Sequence, residues 1–121
     1  EQSFREMETE AIKAISENKN VVIATGGGAV LRHENMDALR AHGIIICLLA
    51  KPETILERTN GNDERPLLRV KDPLAIIRDL LNFRRPFYEK ADVMIDTEGK
   101  TPLQIAEEII EIIRTGTRWK Q

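Results

Sequence analysis

Hydrophobic and polar positions change period several times along the chain. Phe4, Met7, Ala11 and Ile15 recur at helical spacing, which predicts a helix over about 3–18. Ser3 and Glu6 have the spacing of a capping box at its start. Asn18-Lys19-Asn20 breaks that pattern. Val21-Val22-Ile23-Ala24 then forms a continuous apolar run, read as a strand buried on both faces, and Thr25-Gly26-Gly27-Gly28 ends it. Asn35 to His42 reads as helix, with Gly43 where a left-handed residue closes one. Ile44 to Leu49 is a second buried strand, and Pro52 opens a short helix carrying Thr54, Ile55, Leu56 and Arg58. The periodicity fails from Thr59 to Asp72, where Asn60-Gly61-Asn62-Asp63 is turn chemistry, so about 59–72 is a candidate mobile loop. Asp72-Pro73 caps a long helix reaching about Lys90, Val93-Met94-Ile95 is a third strand, and Thr101-Pro102 opens a last amphipathic helix closing near Gly116.

Apolar strands alternating with helices predict a parallel α/β layered sheet. Three strands are few for such a sheet, whose usual size is about 5–6. The chain also opens on Glu1, without an initiator Met and almost directly inside a helical pattern, so either processing or an upstream segment is expected. At 121 residues and 41% hydrophobic, it is read as one domain or part of one, and not as a disordered tail.

Charge narrows the partners. Eighteen Lys and Arg against twenty Asp and Glu leave a net charge of −2, which argues against a general nucleic-acid or membrane-surface binder. Cys47 is the single cysteine and His33 and His42 are the only histidines, so neither a disulfide framework nor a Cys/His metal cage is expected. No apolar run has the ~18 residues of a membrane span, and no signal peptide opens the chain. A cytoplasmic setting is the expectation.

The sharpest local signal is the triplet Gly26-Gly27-Gly28 at the carboxyl end of an apolar run, where open α/β sheets bind ligands. Successive glycines allow close approach of backbone amides to a ligand and positive φ. The competing reading is a plain strand-to-helix turn; a triplet in this place favours ligand contact. Arg5, Arg58, Arg65, Arg69, Arg84 and Arg85 form a set suited to carboxylate or phosphate, although a solvated helix face is the ordinary place for any one of them. Arg65 stands apart, since loop closure before Pro66-Leu67-Leu68 could bring its cation onto a developing phosphoryl charge. Arg5 has Glu8 at i+3, either a surface pair or an orienting one. Gly99-Lys100-Thr101 imitates a phosphate loop, but Met94 stands where that motif needs its first glycine, and no complete phosphate loop occurs in the 121 residues. Cys47 and the three methionines read as packing residues.

Taken together these residues resemble the shikimate kinase family. The matching elements are Phe4-Arg5-x-x-Glu8, Val22-Ile23-Ala24-Thr25-Gly26-Gly27-Gly28, Arg58-x6-Arg65-Pro66-Leu67-Leu68, and Arg84-x-Pro86-x-Tyr88 followed by Ala91-Asp92. Their order and spacing agree with the family over essentially the whole chain.

The resemblance implies a P-loop kinase fold with a five-stranded parallel sheet between helices, of which three strands are expected here. It also implies transfer of the ATP γ-phosphate to the 3-hydroxyl of shikimate, with Mg²⁺. By the same resemblance, Arg5 and Arg84 grip the shikimate carboxylate and Glu8 orients Arg5. Gly26, Gly27 and Gly28 meet the ring hydroxyls, Arg58 packs on adenine, Arg65 is the lid arginine, and Lys100 is the basic residue nearest adenine. The family's first strand, phosphate loop, magnesium-binding hydroxyl and acidic motif have no match here and are expected before residue 1, so no metal ligand is assigned. In the family's order that first strand lies between those corresponding to 21–25 and 44–49. The expectation is therefore the C-terminal part of a single kinase domain with a lid at about 59–72. The chain alone is expected to be inactive, and the intact enzyme to be a monomer. A gluconate kinase relative, or a non-catalytic fragment that self-associates, is the alternative.

Overall fold

The computed structural model describes residues 2–59 and 72–116. They fall in two compact units, Glu1–Ile45 and Ile46–Gln121.

In the first unit, helix α1 spans Gln2–Ile15, a single 3-10 turn spans Gly27–Leu31, and helix α2 spans His33–Ala41. Helix α1 packs on α2, and Ile12, Ala29 and Met36 are buried. Three local expectations change here. Ser3 lies inside α1 rather than capping it, and the side-chain bond at this end runs from Gln2 Nε2 to Glu6 Oε2. Helix α2 ends at His42 with φ −130° and ψ 15°, and the backbone positions with positive φ among the described residues are Asn20, Asp72, Gly99 and Gly116, so Gly43 is not a left-handed cap. Residues 21–24 are not a strand: the segment has no ladder partner among the described residues, and Val22 is 99% exposed. An apolar run becomes a strand only when a neighbour accepts its amides and carbonyls, so the expected three strands are two.

The second unit is built on those two. Strand β1, Ile46–Leu49, pairs in parallel with β2, Val93–Asp96, in the register Ile46↔Val93 to Leu49↔Asp96. Helices α3, Pro52–Thr59, and α4, Pro73–Tyr88, precede β2, and α5, Pro102–Thr115, follows it. Helix α3 packs on α4. Burial alternates along β2: Val93 and Ile95 are buried, whereas Met94 is 37% exposed, and Leu48 on β1 is 53% exposed. The two strands thus bury one face where their unbroken apolar character predicts two.

The helix ends follow local chemistry closely. Asp72 accepts from the Ala75 amide at 3.2 Å, with Pro73 supplying a fixed φ at the first helical position. Asp72 sits at φ 59°, a conformation that a short polar side chain tolerates. Thr101 and Gln104 form a reciprocal capping box at α5, and Gly116 closes it in the left-handed region at φ 64°. Among the described residues no helix is long and apolar enough to cross a membrane.

Candidate functional site

In the first unit the arginine and the glycine triplet come together. Arg5 lies on α1 with Glu8 one turn on, so the Glu8 carboxylate receives Arg5 Nη1 at 2.9 Å, with both side chains largely shielded. The same guanidinium lies over Gly28. A Cβ built on Gly28 would stand 2.9 Å from Arg5 Nη2 and 3.0 Å from Nη1, nearer than real contacts allow. Gly26 has no neighbour within 4 Å of such a Cβ, and its backbone is extended at φ −73°. The expectation of positive φ in the triplet is therefore corrected. Gly28 is needed for close approach of a cation, and Gly26 adopts a conformation open to any residue.

Three residues absent from the sequence-level set brace this corner. Arg32 Nη1 donates to Thr9 Oγ1 at 3.3 Å, and Thr9 Oγ1 donates to the Arg5 carbonyl at 3.1 Å, so the end of the glycine turn is tied to the helix carrying Arg5. Asn35, 1% exposed, donates from Nδ2 to the Ala29 carbonyl at 2.9 Å and holds the 3-10 turn from α2. A polar residue a few positions past the triplet was the available signal for Arg32 and Asn35.

The second unit carries Arg58, Arg84 and Lys100. Arg58, in the last turn of α3, donates from Nη1 to Thr97 Oγ1 at 3.1 Å and from Nη2 to the Thr97 carbonyl at 3.3 Å, while the residue as a whole stays exposed. Arg84 is placed on α4 two residues before Pro86, and its Nη1 reaches Tyr88 Oη at 3.5 Å. Its Nε is buried without a hydrogen-bond partner, an unspent donor on a residue picked for anion binding. Lys100 Nζ is engaged with Glu108 at 2.8 Å on α5. Thr101, the last residue of the phosphate-loop imitation, accepts from Gln104 N as a helix cap, in line with Thr101-Pro102 as a helix start. Arg65 lies outside the described residues.

Glu98 was missed as well. Its Oε2 accepts from the Lys51 amide at 2.7 Å and its Oε1 from Thr54 Oγ1 at 2.8 Å, so it caps α3 from the loop after β2. The Lys51 backbone bond, then the Thr54 hydroxyl, hold its carboxyl below the ordinary 4.5. Burial pushes the Cys47 thiol up, in keeping with a packing residue.

The fold is that of part of an α/β P-loop kinase domain. A sequence model described as shikimate kinase matches residues 1–114, and the chain belongs to the shikimate kinase family. It is 52% identical over 111 residues to a shikimate kinase of Thermodesulfovibrio yellowstonii, covering 92% of this chain and 64% of that protein. With the shikimate kinase of Caldicellulosiruptor bescii it shares 49% over 112 residues, covering 93% and 65%. The chain thus spans just under two thirds of the length of these curated relatives. Among solved structures, shikimate kinase from Acinetobacter baumannii in complex with shikimate superposes with a TM-score of 0.88 at 35% identity, covering 97% of this chain and 66% of that one. The match does not favour a gluconate kinase relative.

Gly28→Ala is expected to destabilise the chain by about 1 kcal/mol, because the added methyl displaces a guanidinium held by Glu8. Gly26→Ala is expected to cost less than half of that. Urea denaturation measures both, and the Gly28→Ala cost should vanish in an Arg5→Ala background.

Glu98 also gives a pH dependence. Its folded pKa is depressed, so its contribution is complete above the ordinary 4.5 and is lost as pH falls through the lower folded value. Glu98→Gln should flatten that acid limb of the urea midpoint against pH, leaving the limb above it unchanged.

Proposed function

We propose that this chain forms the C-terminal part of a shikimate kinase domain, an enzyme that transfers the ATP γ-phosphate to the 3-hydroxyl of shikimate in aromatic amino-acid biosynthesis in the cytoplasm. The observation that carries the reading is the Arg5 guanidinium lying on Gly28 and braced by Glu8. A planar cation over a side-chain-free backbone makes a corner that accepts a carboxylate and the hydroxyls beside it. The A. baumannii relative, with its bound shikimate, supports the choice of substrate.

Phosphoryl transfer asks for little covalent chemistry and much positioning. In this reading Arg5 meets the carboxylate end of shikimate, the family resemblance alone gives Arg84 a role toward the same group, and the amides of Gly26, Gly27 and Gly28 meet the ring hydroxyls. Arg58 covers one face of adenine, with Lys100 nearby. By the family resemblance, Arg65 stabilises charge on the transferring group. Mg²⁺, which the family implies, supplies charge neutralisation when bound. The described residues contain no cluster of three His, Cys, Asp or Glu that could hold it, so no step here is routed through it. None of the 121 residues matches the phosphate cradle either.

A coupled assay on the 121-residue chain is therefore expected to show no ATP- and shikimate-dependent turnover, while calorimetry detects shikimate binding that Arg5→Ala abolishes. Absence of shikimate binding would overturn the reading. In the active enzyme, Arg84→Ala should raise KM for shikimate about tenfold or more with a smaller effect on kcat. Arg65→Ala should lower kcat about 100-fold or more with KM nearly unmoved, as expected of a group acting only on transition-state charge.

A further inference from the structure

We propose that Thr97 and Glu98 are positioning residues for the nucleotide, clamping α3 at both ends so that the Arg58 guanidinium is set before the ligand arrives. The inference rests on the reading that Arg58 faces adenine.

The geometry is that of a two-point clamp built from two adjacent residues. Thr97 directly follows β2 and is 3% exposed. Its amide and its hydroxyl both donate to the Leu49 carbonyl, at 2.9 and 2.7 Å, so the residue is locked to the end of β1. A hydroxyl has one hydrogen and two lone pairs. With its hydrogen given to Leu49, Thr97 Oγ1 can serve Arg58 only as an acceptor, and Arg58 Nη1 donates to it at 3.1 Å. The Thr97 carbonyl takes Arg58 Nη2 at 3.3 Å, which fixes the guanidinium at two points and therefore fixes its plane. At the other end of α3, the Glu98 carboxylate receives the Lys51 amide and the Thr54 hydroxyl, satisfying a free helix-terminal amide and complementing the helix dipole. Glu98 is aimed there by its own backbone, whose amide donates to Asp96 Oδ1 at 3.0 Å. Gly99 then turns the chain away at φ 70°.

The clamp depends on atoms and not on bulk. Thr97→Val keeps the shape but deletes the donor to Leu49 and the acceptor for Arg58, whereas Thr97→Ser keeps both. A structural role alone would make the two variants differ only in stability. The readouts are nitrogen-15 NMR of the Arg58 side chain in the 121-residue chain, assigned by Arg58→Lys, and calorimetric titration with ADP.

In the unsubstituted chain and in Thr97→Ser, the Arg58 Nη signals should be distinct and slowly exchanging, with ADP affinities within about twofold of each other. In Thr97→Val the Nη signals should average, and ADP should bind about tenfold more weakly. Unchanged Arg58 signals in Thr97→Val, or Thr97→Ser behaving as Thr97→Val does, would overturn the clamp. If the unsubstituted chain binds no ADP, the missing phosphate cradle accounts for it and the NMR comparison alone decides the clamp; ADP binding that Arg58→Ala leaves unchanged is what overturns the nucleotide reading of Arg58. Should Thr97→Val not fold, Arg58→Ala tests the same link from the other side: α3 amides should exchange faster, and unaltered protection overturns the proposal.

Discussion

The parallel ladder between β1 and β2 is the constraint on which the second unit depends. Its register places Leu49 opposite Asp96, so the chain leaves both strands at the same level. Thr97 extends the pairing by one residue through its two bonds to the Leu49 carbonyl. From there everything is within short reach: Glu98 lies beside the start of α3, and Thr97 beside its last turn. Had the register slipped by one residue, the alternation along β2 would invert, turning Met94 inward and Ile95, now fully buried, outward. Hydrophobic pairing and polar placement are thus set by the same ladder.

Much of this was legible where the physics is local. The Asp72-Pro73 and Thr101-Pro102 starts, Pro52 at the head of α3 and Gly116 at the end of α5 each depend on a few neighbouring residues, and each stands where the sequence puts it. The Arg5–Glu8 pair is legible for the same reason, one turn apart on one helix. Residues 21–24 show the opposite case. Their β-branched composition suits a strand, but strand formation is a property of pairs, and the partner that the family resemblance assigns has no residues among the 121. Ser3 fails for a subtler reason: a capping box is defined by where the helix begins, and α1 already includes Gln2.

The candidate cations could be picked from the sequence, and hardly anything of what holds them. Arg5, Arg58 and Arg84 were picked because guanidinium chemistry and motif spacing are visible along a chain. Thr97, Glu98, Thr9, Arg32 and Asn35 act across 4 to 47 positions of sequence separation, and nothing in their local pattern marks the partner. The glycine triplet was read as a place where a ligand approaches the backbone closely; the approach seen in the structure is that of Arg5 on Gly28. Conformational freedom is not used at Gly26, whereas at Gly28 the missing side chain itself is what makes room for Arg5.

A long cation is an expensive ligand-binding group unless it is immobilised in advance, since an arginine side chain carries about 2 kcal/mol of rotamer entropy. Arg5 is held by a carboxylate on its own helix, and Arg58 by a hydroxyl and a carbonyl reached across the fold. The two solutions have different consequences. A carboxylate partner cancels charge, so the field of Arg5 is partly spent while its orientation is fixed. Neutral oxygen partners leave the charge of Arg58 intact and occupy two of its five N–H donors. If Arg58 lies against a flat, neutral ring, as proposed, orientation is what it needs above all. If Arg5 meets a carboxylate, as proposed, it needs discrimination as well, which a braced, partly neutralised guanidinium supplies by favouring a fully charged, bidentate partner over a weaker one.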